Sequence, residues 1–152
     1  MNRIAALLDV HRIALDVRSD SKADLFSWLG QRFAGDLGLA PQVVSASLRA
    51  REDLGSTALG QGMAIPHGRL KGLKTAAGVL VRLQTGLEFS APDTVPVRLL
   101  FVLFVPVHAT DEHLQILGEL AQLFGDRDMR ERLLGCRDEH EVLECIRDWR
   151  AE

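Results

Sequence analysis

Apolar and polar positions alternate over Ile13 to Val17, with a β-branched residue at each end, which predicts a first strand. The polar run Arg18-Ser19-Asp20-Ser21 then offers several N-caps. Leu25, Phe26, Trp28, Leu29 and Phe33 follow at helical spacing, with Gly35 as the expected stop. Pro41 suits the first turn of a second helix, which carries Val44, Leu48 and Arg51 on one face and ends at Gly55.

The pattern then changes. The stretch from Gly55 through Gly72 holds five glycines, one proline and one histidine, broken by apolar pieces such as Met63-Ala64-Ile65. Short strands joined by tight turns are expected, with backbone amides free to meet a ligand. Ala76 to Leu83 predicts another strand, and Pro92, Asp93 and Pro96 mark a turn. Val97 to Val105 is almost continuously apolar, as in a strand buried on both faces.

Beyond Pro106 the period becomes helical. Thr110 or Asp111 can cap a helix with Leu114, Leu117, Leu120, Ala121 and Phe124 on its apolar face. Gly125-Asp126 opens a shorter helix through Leu134. Asp138 with Glu141 resembles a capping box before a last helix that turns Val142, Ile146 and Trp149 inward. Strands interleaved with helices around one doubly buried strand predict an α/β sandwich with helices on both sheet faces. No repeat or linker divides the chain, so residues 1–152 read as a single domain.

Composition narrows the function. A chain of 152 residues that is 47% hydrophobic and 26% charged is globular in character. Its net charge of −3, spread along the chain, leaves no electrostatic footprint for nucleic acid. The longest apolar run, Leu99 to Val107, falls well short of the roughly 20 residues of a spanning helix, so no membrane insertion is expected. With no signal-peptide pattern, and with Cys136 and Cys145 in neither a CxxC motif nor a disulfide framework, a cytoplasmic protein is expected. Both cysteines fall on predicted helices as packing residues.

Most site motifs are missing. The five histidines (His11, His67, His108, His113 and His140) form neither HExxH nor a zinc-finger spacing, so no metal is expected. The serines lack a GxSxG elbow, and Gly60-Gln61-Gly62 completes neither a dinucleotide loop nor a P-loop. His67 is different. Pro66 fixes the approach of the chain and Gly68 lets backbone come close, as a nucleophile accepting a bulky anion requires. Imidazole is largely neutral at pH 7 and attacks without a general base. An ordinary turn histidine is the competing reading.

The run Ala64-Ile65-Pro66-His67-Gly68, with Leu59-Gly60 upstream, resembles the active-site signature of enzyme IIA of the bacterial sugar phosphotransferase system, in its mannitol/fructose/nitrogen-regulatory class. Arg51-Glu52-Asp53-Leu54-Gly55-Ser56-Thr57 is similar to that family's arginine-bearing segment, and Val105-Pro106 followed by His113-Leu114 to the segment with its second histidine. Among its branches the chain looks most like the nitrogen-regulatory one.

This resemblance implies the mixed sheet flanked by helices on both faces of that family. It implies His67 as phosphoryl acceptor, Arg51 as the arginine that steadies the phosphoryl group, and His113 as the second histidine. Ser56 and the amides around Gly68 are candidate phosphate contacts. Each residue also has a bland alternative: Arg51 could pair with Glu52 or Asp53, and His113, on the 113/117/120/124 face of its helix, could be a satisfied core histidine. The implied partners are an HPr-like phosphocarrier protein and regulatory targets that the sequence does not name. No cofactor is required, because the donor already carries activated phosphoryl. A sugar-specific IIA that passes phosphoryl to a IIB protein, and an interaction module that is never phosphorylated, are the alternatives. Oligomeric state is left open.

Overall fold

The computed structural model describes residues 2–108 and 111–151. Its strands are β1 (Ile13–Val17), β2 (Ala58–Gly60), β3 (Met63–Ala64), β4 (His67–Leu70), β5 (Ala77–Leu87) and β6 (Val97–Pro106). They form one mixed sheet in the order β1-β5-β6-β3-β2, with β4 also on β6. The helices are α1 (Arg3–Ala6), α2 (Lys22–Leu37), α3 (Pro41–Asp53), α4 (Asp111–Gly125), α5 (Arg127–Gly135) and α6 (Glu139–Asp148), with a 3-10 turn at Val10–Arg12.

Strands β5 and β6 are the antiparallel centre, and alternation along them builds two cores. Leu80, Leu99, Phe101, Leu103 and Val105 pack under α1, α4, α5 and α6. Val79, Val81, Leu100, Val102 and Phe104 point the other way, against α2 and α3. This is the expected mixed sheet with helices on both faces, and β6 is buried on both sides as its apolar run predicts.

The glycine-rich stretch forms short strands. Met63 pairs with Leu99 and His67 with Leu103, both parallel and in one register, so β3 and β4 run as a single strand interrupted at Ile65-Pro66. Pro66 has no N–H to give the ladder, yet its carbonyl accepts from the Leu103 amide at 2.9 Å and keeps the pairing in step. His67 therefore opens a strand, where a turn was expected.

Several boundaries differ from the sequence reading. Ser21 caps α2 through the Asp24 amide, but the helix runs past Gly35 to Leu37. Gly38, at φ +73°, ends it by donating to the carbonyls of Ala34 and Gly35. Gly35 keeps helical geometry, which glycine tolerates at about 1 kcal/mol relative to alanine; the chain reverses only where a left-handed residue is needed. Strand β5 extends to Leu87 through polar residues that carry no strand pattern. In α4 the buried residues are Ile116, Leu120, Leu123 and Phe124, while Leu114 is 66% exposed and Ala121 is also exposed. Both stripes fit a helical period, and the lie of α4 on the sheet selects one. Asp111 begins the helix; Thr110, the alternative cap, lies outside the described residues.

Asp138 caps α6 through the Glu141 amide at 2.9 Å, and the Glu141 carboxylate reaches back to the Arg137 amide at 2.7 Å. Helix α1 and the role of Arg82 carried no sequence signal. Arg82 is buried, donating to the carbonyls of Leu133, Leu134 and Cys136 at the end of α5 and to Asp16 of β1. Cys145 is buried near Met129, and Cys136 is half-buried.

Candidate functional site

Three elements meet around His67. Strand β4 presents its ring, α3 brings Arg51 from above, and α4 brings His113 from the side. Gly68 makes the first approach possible: a Cβ there would lie 2.2 Å from Ser47 Oγ and 3.2 Å from Ser47 Cβ, so only glycine lets α3 sit this low on β4. The side chains of Arg51, Leu54, His67, Arg69 and His113 line a cavity of about 540 Å³.

The two ring nitrogens of His67 have different partners. Nδ1 lies 2.8 Å from the Ile65 carbonyl, which only accepts, so the proton of the neutral ring sits on Nδ1. Nε2 keeps the lone pair and receives the Arg51 Nε–H at 3.2 Å. Arg51 Nη1 donates at 2.8 Å to the Gly55 carbonyl, which fixes the guanidinium plane. Burial holds the His67 pKa below its ordinary value; the Arg51 charge adds to this, while the Ile65 carbonyl and Glu52 oppose it.

His113 faces His67 with ring centroids 6.1 Å apart and planes tilted by 57°. Its pKa is also lowered, first by burial and then by the charges of His67 and Arg69. Its Nδ1 is buried with no hydrogen-bond partner among the described residues.

The structure thus brings Arg51, His67, Gly68 and His113 together, and it leaves Ser56 apart. The Ser56 hydroxyl bonds the Phe89 carbonyl and receives the Ala58 amide. His108 is exposed and lines a neighbouring cavity that shares His113. Arg51 makes no ion pair with Glu52, whose carboxylate is buried and committed elsewhere. It accepts from Thr57 Oγ1 at 2.6 Å, from the Thr57 amide at 3.0 Å and from Lys22 Nζ at 2.9 Å. Sequence reasoning missed this network, because it weighed Glu52 only as an alternative partner for Arg51. Among the described residues no group of three or more His, Cys, Asp or Glu side chains could hold a metal ion.

Residues 6–149 match the family described as Phosphoenolpyruvate-dependent sugar phosphotransferase system, EIIA 2. The chain belongs to this family. It is 38% identical over 133 residues to the nitrogen regulatory protein of Escherichia coli (strain K12), covering 87% of this chain and 82% of that protein. The crystal structure of the nitrogen regulatory protein IIA-Ntr from Neisseria meningitidis superposes with a TM-score of 0.91 at 41% identity, over 95% of this chain and 99% of that one. The mannitol IIA of Escherichia coli shares the fold, with a TM-score of 0.76 at 24% identity over 91% of this chain and 98% of that one. The chain is an EIIA component of the phosphotransferase system, and nitrogen regulatory proteins are among its relatives. No described helix is long and apolar enough to cross a membrane.

Proposed function

We propose that His67 Nε2 accepts a phosphoryl group from the phosphohistidine of an HPr-like carrier protein, and that the chain signals through its phosphorylation state. The observation that carries this reading is the divided bonding of His67: Nδ1–H is spent on Ile65, and the Nε2 lone pair faces the cavity beside a cation. A neutral imidazole so oriented attacks phosphorus in line. The new Nε2–P bond forms as the donor's N–P bond breaks, and the electron pair stays on the donor's ring nitrogen. The Nδ1 proton remains on His67, and its bond to the Ile65 carbonyl strengthens as the ring becomes cationic.

In a loose transition state the three equatorial oxygens carry the charge, and catalysis is a matter of positioning and electrostatics. Arg51 exchanges its contact with Nε2 for contacts with those oxygens, and His113 supplies an N–H from the side. Leu54, 84% exposed at the rim of the cavity, and Leu114, 66% exposed beside His113, suit a protein donor. Neither metal nor nucleotide is needed, because the donor is already activated.

The regulatory branch is favoured by the nitrogen regulatory proteins among the relatives. In this reading residues 1–152 act as one cytoplasmic domain. About two negative charges added at the cavity switch which partners dock there. The test is intact mass after incubation with phosphoenolpyruvate and purified relay proteins. One acid-labile, base-stable phosphoryl group is expected on the parent and none on His67→Ala. An unmodified parent overturns the reading and leaves an interaction module. A label that survives acid overturns the histidine.

A further inference from the structure

Glu52 is a buried carboxylate that phosphoryl acceptance by His67 does not use directly, and its bonds lead back to both ends of the acceptor ring. One arm leaves the carboxylate through the side chain and amide of Thr57. The Thr57 carbonyl accepts from the Ile65 amide at 3.1 Å, and the Ile65 carbonyl accepts from His67 Nδ1 at 2.8 Å. The other arm is the chain itself: Arg51 precedes Glu52 in the last turn of α3 and donates to His67 Nε2 at 3.2 Å. Between the arms, the Gly55 carbonyl receives Arg51 Nη1 and the Gly55 amide donates to the Glu52 carbonyl.

We propose that Glu52 is a positioning residue for phosphoryl transfer: it closes a ring of contacts, Glu52–Thr57–Ile65–His67–Arg51, joined by hydrogen bonds except for the covalent step from Arg51 back to Glu52, that sets the tautomer of His67 and the aim of Arg51 together. The proposal rests on the reading of His67 as the acceptor. Lys22 anchors the ring from outside. Its ammonium bonds Glu52 at 2.9 Å and the Phe89 carbonyl at 3.0 Å, and lies 4.7 Å from the centre of the Phe89 ring. The effect is mechanical. The Thr57 arm enters each residue through the amide of one peptide and leaves through the carbonyl of the next, and the other arm is covalent, so no proton moves along either. The carboxylate instead pins the segment between α3 and β2, and both bonds to His67 depend on where that segment lies. A buried charge held this way costs desolvation that an apolar side chain would avoid, and a positional task accounts for keeping it.

The test pairs the single-turnover phosphorylation rate with the ¹⁵N shifts of the His67 ring. In the parent the shifts should report the Nδ1–H tautomer. Glu52→Gln keeps the size but loses the Lys22 ion pair. It should slow transfer roughly ten- to a hundredfold, the penalty of a misplaced reacting group, and mix the two tautomers. Thr57→Val, which cuts one bond of the ring, should move both readouts the same way, and Thr57→Ser should restore what Thr57→Val loses. A folded Glu52→Gln protein with the parent's rate and ¹⁵N pattern overturns the proposal. If Glu52→Gln does not fold, the Thr57 pair decides: no difference between Thr57→Val and Thr57→Ser overturns it. If the parent itself gains no phosphoryl group, the acceptor reading has failed, and the tautomer shifts in these variants alone decide for or against the ring.

Discussion

Arg51 meets His67 through Nε, at 3.2 Å from the ring's Nε2, and spends Nη1 on the Gly55 carbonyl at 2.8 Å. The guanidinium is therefore held side-on before any anion arrives. In the proposed phosphoryl transfer only the Nε contact must be given up, and the plane is already set by the end of its own helix.

That arrangement makes lysine a poor substitute. Arg51→Lys keeps the charge but cannot bridge Gly55 and the phosphoryl group at once. Charge-assisted bonds of this kind contribute about 1.5–3 kcal/mol, so Arg51→Ala should slow transfer roughly ten- to a hundredfold and Arg51→Lys by an intermediate factor. Melting temperatures should fall only modestly, since Arg51 makes no ion pair among the described residues and loses its bonds to the Gly55 carbonyl and to His67 at a partly exposed site. Stopped-flow phosphorylation of both variants checks the order; a parent-like rate in Arg51→Ala removes Arg51 from the site.

Burial lowers the pKa of both His67 and His113, which gives stability a pH signature of definite sign. In the unfolded chain these imidazoles protonate near pH 6.5, whereas the native rings resist protonation until lower pH. Between those values the unfolded state binds more protons, so stability is complete above about pH 6.5 and falls as the pH drops towards the native pKa values. Thermal melts from neutral to mildly acid pH should show this loss, and it should be shallower in His67→Gln and His113→Gln. The transfer rate should hold up at pH values where an ordinary histidine is half protonated, because Nε2 stays free. A rate that halves at the unperturbed histidine pKa would contradict this.

Gly68→Ala places a methyl 2.2 Å from Ser47 Oγ, with Ser47 Cβ at 3.2 Å and its backbone carbon at 3.3 Å behind it. Rotating the hydroxyl away cannot relieve the last two contacts, so α3 must lift from β4 at a cost of about 1–3 kcal/mol. Lifting α3 also withdraws Arg51 from His67, so transfer should slow along with the loss of stability. The double variant Gly68→Ala with Ser47→Gly should recover part of both. Denaturant melts and transfer rates on the three variants measure it. A Gly68→Ala protein as stable and as fast as the parent would show that the approach of α3 is not sterically set.

Much of this protein is legible in the sequence because the signals are local. Pro41 at a helix start, Ser21 and Asp138 as caps, and the apolar run of β6 act within a turn or two, and they hold in the structure. The candidate residues could be singled out for the same reason: Pro66 and Gly68 frame His67, and Arg51 follows Val44 and Leu48 at helical spacing. What sequence could not decide were choices between partners of comparable local merit. Gly35 was expected to end α2, but the helix runs on to Leu37 and ends where Gly38 takes the left-handed conformation. Arg51 had Glu52 and Asp53 beside it, but Lys22, 30 positions away, holds the Glu52 carboxylate and leaves the guanidinium to His67. Leu114 and Ile116 both fit a helical stripe, and only the lie of α4 on the sheet exposes one and buries the other. Capping and periodicity are written over neighbouring residues. Pairings across 16 or 30 positions depend on strand register and on how closely helices approach the sheet, and these exist only once the core has packed.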